Sequence, residues 1–273
     1  MNLALIEKVR KVNPLVHNIT NLVVANDSAN GLLALGASPF MSNTVAEVEE
    51  IQTFNAALVL NMGTINDEQL SAMLLAGKAA NSNGKPVVID PVGAGATAYR
   101  KKVCQQLLAD IQPTLIRGNA GELASIANIP WEAKGVDAGV GSADLSLIAE
   151  TVARQYNCLV LISGETDIIT NGHKTYLNHN GTSYFTSMTG SGCLLSCVCG
   201  AYLGVVNHHD SDEALAALIV AATTYSLAGQ LGVKNFSQGA VGSFRRNLLD
   251  QLTVIDQDIV QNFASGEWRQ ADA

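Results

Sequence analysis

Ala56-Ala57-Leu58-Val59-Leu60-Asn61-Met62-Gly63 is an apolar run that turns at a glycine, and after a helical stretch over 67–81 the scheme returns as Pro86-Val87-Val88-Ile89-Asp90-Pro91. Strands that read as continuous apolar runs are buried on both faces, and a helix between two of them makes the pair parallel. The reading is an α/β fold, a three-layer αβα sandwich around a mostly parallel central sheet. Toward the N-terminus the alternation continues: residues 1–11 read as an amphipathic helix, 14–21 as a short extended stretch running into polar residues, 22–35 as a helix stopped by Gly36, 37–42 as a short strand and 45–54 as another helix. Toward the C-terminus, 114–117 and 158–164 read as strands, and 166–177 as two strands around Asn171-Gly172, a strong hairpin signal. Helices at 192–206, 211–231 and 237–255 follow as cover, with a frayed tail over 266–273.

The 273 residues suit one large α/β domain spanning 1–273, because no linker, charge block, low-complexity tract or repeat divides them. Charged residues make up 15%, against roughly 25% in an average globular domain, while 48% are hydrophobic. So few charges leave part of the surface to be buried against other copies, which predicts a homo-oligomer. A net charge of −8 argues against nucleic acid or an anionic membrane as partner. No apolar run approaches the ~20 residues needed to span a bilayer, and the first residues do not read as a secretory signal. The expectation is a soluble, cytoplasmic protein. Five cysteines without a C-x-x-C pair argue for free thiols. A helix places Cys193 and Cys197 on one face and Cys199 on another, so a three-sulfur metal site there is disfavoured.

Three stretches carry candidate chemistry. Thr189-Gly190-Ser191-Gly192-Cys193 precedes an apolar helical run. Two glycines there can make a turn whose backbone N–H groups and helix dipole hold phosphate oxygens, with Cys193 in the first helical turn; an ordinary glycine turn before a core helix reads the same way. In Asp90-Pro91-Val92-Gly93-Ala94-Gly95-Ala96-Thr97, an acid at a strand end before a glycine-rich loop can hold a divalent cation beside phosphates, or simply cap a turn. Ala98 stands where G-x-G-x-x-G needs its third glycine, so a dinucleotide fold is poorly supported. In the third, Thr114-Leu115-Ile116-Arg117-Gly118-Asn119-Ala120-Gly121-Glu122-Leu123, Arg117 ends a strand and can reach a nucleotide phosphate. Glu122 opens the next helix, where an acid either holds a magnesium water or compensates the dipole. His17, Asn18 and Asn21 can line a pocket at a strand end, although Asn21 also reads as a helix N-cap. Met41 and Ser163 fall at strand ends too, and His208-His209-Asp210 is poorly suited to bind metal.

PLVHNITN at 14–21, ASPFMS at 37–42, DPVGAGAT at 90–97, IRGNAGE at 116–122 and TGSGC at 189–193, in this order, resemble the hydroxyethylthiazole kinase family of the ribokinase-like superfamily. The resemblance extends over most of the chain. It implies one ribokinase-like domain that phosphorylates the alcohol of 5-(2-hydroxyethyl)-4-methylthiazole with MgATP, a salvage step in thiamine synthesis. It further implies that Met41 and Gly190 contact the thiazole alcohol, that Arg117 and Ser163 contact ATP, and that Asp90 and Glu122 hold Mg2+ or its waters; Asn21 is added as a candidate substrate contact and Gly192 as a candidate ATP contact. A homotrimer with active sites between subunits is implied as well. Ser163 departs from the Thr more usual in the family but keeps the hydroxyl, and Gly239-Ala240-Val241-Gly242 departs from a Gly-Pro-Gly pattern.

Cys193 stands where the wider superfamily usually has a catalytic Asp. A helix N-terminus is expected to lower its thiol pKa and leave some thiolate at neutral pH, to orient and deprotonate the alcohol. Two other readings compete: a kinase for a pyridoxal-like or hydroxymethylpyrimidine alcohol, disfavoured by Cys193 and Met41, and a binding sensor without turnover, disfavoured by the joint presence of Asp90, Glu122, Arg117 and the glycine turn.

Overall fold

The structure, a computed structural model, describes residues 1–134, 137–140, 144–234, 236 and 239–269, with side chains left out over 132–140. In chain order the first half runs α1 (Ala4–Val12), β1 (Leu15–Ile19), α2 (Ala25–Leu35), β2 (Ser38–Met41), α3 (Val48–Ile51), β3 (Ala57–Asn61), α4 (Asp67–Ser82), β4 (Val87–Asp90), α5 (Ala98–Asp110), β5 (Leu115–Asn119) and α6 (Ala120–Ile126). The second runs β6 (Glu132–Lys134), β7 (Asp137–Val140), α7 (Leu145–Tyr156), β8 (Leu159–Ser163), β9 (Asp167–Thr170), β10 (Thr175–Asn178), a 3-10 turn (Ser183–Ser187), α8 (Ser191–Leu203), α9 (Ser211–Gly232), α10 (Val241–Val254), α11 (Gln257–Phe263) and β11 (Gly266–Trp268).

Nine strands form one sheet in the order β11-β10-β9-β8-β5-β4-β3-β1-β2, with β6 and β7 paired separately. Pairing is parallel from β2 across to β8 and antiparallel through β9, β10 and β11. Alternate residues of a strand face opposite sides, and the core follows that rule. Leu58, Leu60, Val87 and Ile89 pack with α4 to α7, whereas Val59 and Val88 pack with α1, α2 and α8 to α11. This is the expected αβα sandwich. The chain leaves β1 toward β2 on one side and then builds β3, β4, β5 and β8 on the other. The point of reversal lies between β1 and β3, and open α/β sheets bind ligands outside the carboxyl ends of the strands there.

Several expectations needed correction. The helix read over 22–35 begins at Ala25, because the Asn21 side chain accepts the N–H groups of Val23 and Val24 and turns the chain first, leaving Leu22 and Val23 exposed. The helix read over 45–54 shrinks to α3 between turns. Gly266–Trp268, read as a frayed tail, is the sheet's edge strand, with Trp268 edge-on to Tyr176 at 5.4 Å; residues 270–273 lie outside the described residues. The helix read from 237 starts at Val241, and 237–238 also lie outside them. By length and composition α9 is apolar enough to cross a membrane, contrary to the reading that no run approaches that length. Yet 83% of its apolar window is buried, since α9 packs between the sheet, α8 and α10. The alternating pattern did not single out α5, α7, α11 or the β6–β7 hairpin.

Candidate active site

At the reversal point the ends of β1, β3 and β4 meet the start of α8. Asp90 closes β4 and is wholly buried. Its Oδ2 accepts from Asn61 Nδ2 at 2.7 Å and Ser196 Oγ at 2.8 Å, with Arg117 Nη1 at 3.8 Å. Its Oδ1 has no hydrogen-bond partner among the described residues. Burial pushes the Asp90 carboxyl above the usual carboxylate range, against the pull of Arg117, Ser196 and Asn61.

Glu122 lies in the first turn of α6 and forms a capping box: its Oε2 accepts from the Asn119 N–H at 2.7 Å, while Asn119 Oδ1 accepts from the Glu122 N–H at 3.0 Å. Its Oε1 accepts from the Gly93 N–H at 2.9 Å, which ties this helix start to the glycine-rich loop after Asp90. Burial first, then the neighbouring Asp90 charge, pushes Glu122 up to about 7. Arg117 sits within β5 rather than at its end, donates to the Ser163 hydroxyl and lies beneath Gly192, where a Cβ would collide with its guanidinium.

The glycine turn is built for close approach. Gly190 is the N-cap of α8 at φ 83°, and a Cβ there would also meet the Val24 side chain. Among the described residues no side chain caps this helix start, and the Ser191 N–H turns back to the Met188 carbonyl at 3.3 Å. Two contacts brace the turn: the Tyr225 hydroxyl donates to the Ser191 carbonyl at 2.6 Å, and the Ser191 hydroxyl donates to the Phe185 carbonyl at 2.8 Å. Half-buried Cys193 follows, its Sγ 3.6 Å from Asn21 Nδ2. Burial, then the Asp90 charge, pushes its thiol up to about 12 despite Arg117, Asn61 and Asn21. The direction runs against the expectation of a lowered thiol pKa: burial and the neighbouring Asp90 carboxylate both disfavour the thiolate.

Asn21, Asp90, Arg117, Glu122, Ser163, Gly190, Gly192 and Cys193 thus converge. Met41 does not join them. It lies at the end of edge strand β2, 37% exposed, three strand spacings or about 14 Å from β4. His17 and Asn18 do not line a cleft either. His17 Nδ1 accepts from Gln52 Nε2 at 2.7 Å and its Nε2 bonds the Ser42 carbonyl at 2.9 Å, while Asn18 accepts from Cys197 Sγ at 3.2 Å and donates to the Val16 carbonyl at 2.8 Å. Asp210 caps α9, and no group of three side chains suited to metal occurs among the described residues. Sequence reasoning missed Asn61 and Ser196. The available signal was Asn61 ending an apolar strand in register with Asp90.

The donor set fits a hard divalent cation. One buried, unpartnered carboxylate oxygen on Asp90 suits an ion that binds through one or two carboxylates and keeps most of its waters. Glu122, with each oxygen already accepting a backbone N–H, suits a place behind those waters.

A sequence model of the Hydroxyethylthiazole kinase family matches residues 6–258. The hydroxyethylthiazole kinase of Listeria monocytogenes is 53% identical over 247 residues, 90% of this chain and 90% of that one. The chain belongs to the hydroxyethylthiazole kinase family. The solved hydroxyethylthiazole kinase of Pyrococcus horikoshii superposes with a TM-score of 0.86 at 31% identity, covering 98% of each chain. A ribokinase-like superfamily protein from Enterococcus faecalis shares the fold, at a TM-score of 0.64 and 9% identity over 94% of this chain and 96% of that one. The family match includes every residue of the cluster and Met41, and stops short of β11.

Proposed function

We propose that this protein transfers the γ-phosphoryl group of ATP to the primary alcohol of 5-(2-hydroxyethyl)-4-methylthiazole, a step in thiamine biosynthesis. The alcohol oxygen forms the new bond to phosphorus, the bond to the β–γ bridging oxygen breaks, and ADP and a proton leave. The observation that carries the reading is the family match over residues 6–258, which contains a thiol-bearing helix start beside a buried acid with one free oxygen.

The uncapped start of α8 supplies the N–H groups of Gly192 and Cys193 for phosphoryl oxygens. Arg117, braced by Ser163 beneath Gly192, places fixed positive charge behind that turn on the ATP side. Asp90 through Oδ1, with Glu122 behind, would hold Mg2+, which neutralises charge on the transferring phosphates when bound. Cys193 acts as a thiol whose sulfur accepts the alcohol's hydrogen bond and aims its oxygen at phosphorus; in a loose transition state early proton removal is not demanded. Asn21 steadies that sulfur from the other side.

Gly190 and Met41 contact the thiazole. Met41 reaches the ring across a boundary between copies, in a homotrimer with sites between subunits. Leu22 at 82% exposure, Val23 at 65% and Val45 at 39%, beyond the ends of β1 and β2, support that boundary. The whole chain serves as one kinase domain in the cytoplasm. Supplying MgATP with the thiazole alcohol, a hydroxymethylpyrimidine or pyridoxal, and following ADP release, tests the reading. Turnover with the thiazole is expected, and turnover confined to either of the other alcohols refutes it.

A further inference from the structure

Asn61 is 1% exposed at the end of β3 and belongs to none of the motifs that carry the family resemblance. Its side chain is nevertheless the link between the two halves of the cluster. Nδ2 donates to Asp90 Oδ2 at 2.7 Å, and Oδ1 accepts from Asn21 Nδ2 at 2.8 Å and from the Gly63 N–H at 2.9 Å. The Asn21 amide that it holds lies 3.6 Å from Cys193 Sγ.

The amide can sit only one way round. Turned over, its oxygen would face the Asp90 carboxylate and its NH2 would face two other donors. No other side chain of this size offers an acceptor to one side and a donor to the other. An Asp would repel Asp90, and a Leu would leave Asn21 and Gly63 with buried, unsatisfied donors. Ser196 takes the same oxygen, Asp90 Oδ2, from the α8 side at 2.8 Å. With Oδ2 doubly engaged, Oδ1 is left over, and it is the Asp90 oxygen without a hydrogen-bond partner among the described residues.

We propose that Asn61, assisted by Ser196, is a positioning residue: it dedicates Asp90 Oδ1 to the cation and holds that carboxylate in fixed register with Asn21 and the Cys193 sulfur. The inference rests on the reading of Asp90 as the cation-holding acid. Groups that orient a metal-binding side chain commonly change metal affinity or activity by 10- to 100-fold when removed. A residue that only stabilises β3 would change melting temperature and leave cation affinity alone.

The test measures Mn2+ affinity of the enzyme–ADP complex by electron paramagnetic resonance, with kcat, KM for the alcohol and thermal melting, in wild type, Asn61→Leu and Ser196→Ala. Asn61→Leu should weaken Mn2+ binding by about tenfold or more and lower kcat to match, with little change in KM for the alcohol. Ser196→Ala should do the same to a smaller degree, since Ala favours the helix and leaves Asn61 in place. Folded Asn61→Leu protein with wild-type Mn2+ affinity and kcat overturns the proposal, as does a loss confined to KM for the alcohol. Should Asn61→Leu fail to fold, unchanged Mn2+ affinity in Ser196→Ala overturns it instead. A wild type that leaves the thiazole alcohol untouched would remove the functional reading, whereas weakened Mn2+ binding in the two variants would still uphold the positioning role.

Discussion

At the scale of single residues, the proposed role of Cys193 is to place the alcohol. Its thiol is pushed up to about 12 by burial and by Asp90, which supports hydrogen bonding and placement over a standing thiolate in the proposed reaction. Cys193→Ala should lower kcat by at least about tenfold while KM for ATP stays near wild type; an unchanged kcat removes the sulfur from the reaction. In the ligand-free protein Cys193 is the half-buried cysteine and Cys104, Cys158, Cys197 and Cys199 are buried, so iodoacetamide should alkylate it first. The rate should keep climbing to about pH 10, and a midpoint near neutrality would contradict the raised pKa. Gly190→Ala would strain a φ of 83° and press on Val24. A loss on the order of 1–3 kcal/mol in urea unfolding is expected, together with reduced activity.

At the scale of elements, the start of α8 is held from outside by α9 and the 3-10 turn. Tyr225→Phe deletes the 2.6 Å bond to the Ser191 carbonyl, and should cost about 1 kcal/mol in urea unfolding without disturbing the secondary structure. That brace could not be read from the sequence, because Tyr225 sits in an alanine-rich helix where every turn looks alike. The parallel strands were legible for the opposite reason: Leu58 to Leu60 and Val87 to Ile89 are apolar on both faces, a pattern only helices on each side explain. Boundaries were less legible where a side chain redirects the backbone, as Asn21 does before α2. Residues 266–268 offer no apolar period, and only pairing with β10 makes them a strand. In the site, Asp90, Glu122 and the glycine turn were visible as motifs. Asn61 and Ser196 were not, since their meaning lies in facing Asp90 across chain separations of 29 and 106 residues.

At the scale of the molecule, the buried acids make stability depend on pH in a defined sense. Glu122 is raised from 4.5 to about 7, so the folded state binds its proton more tightly than the unfolded chain does. Its contribution is fully present below pH 4.5 and is lost as pH rises through about 7, a change on the order of 3 kcal/mol. His17 is lowered by burial, and its contribution is lost in the opposite direction, as pH falls below 6.5. Comparing wild type with Glu122→Gln isolates the acid: urea unfolding of the ligand-free proteins at pH 5 and pH 8 should show a steeper fall for wild type. A bound divalent cation relieves the same charge, so Mg2+ should raise the wild-type melting temperature more at pH 8 than at pH 5. Light scattering should give three times the 28.6 kDa chain mass, and a monomer at micromolar concentration would contradict the shared-site arrangement.

The fate of the γ-phosphorus is the most direct test of the proposed kinase reaction. Phosphorus NMR of the wild-type protein with MgATP and 5-(2-hydroxyethyl)-4-methylthiazole should show a new phosphomonoester growing in step with ADP, and Asp90→Ala should abolish both. Release of ADP with inorganic phosphate in place of the ester, or an unaltered ATP spectrum from folded wild-type protein, would contradict it.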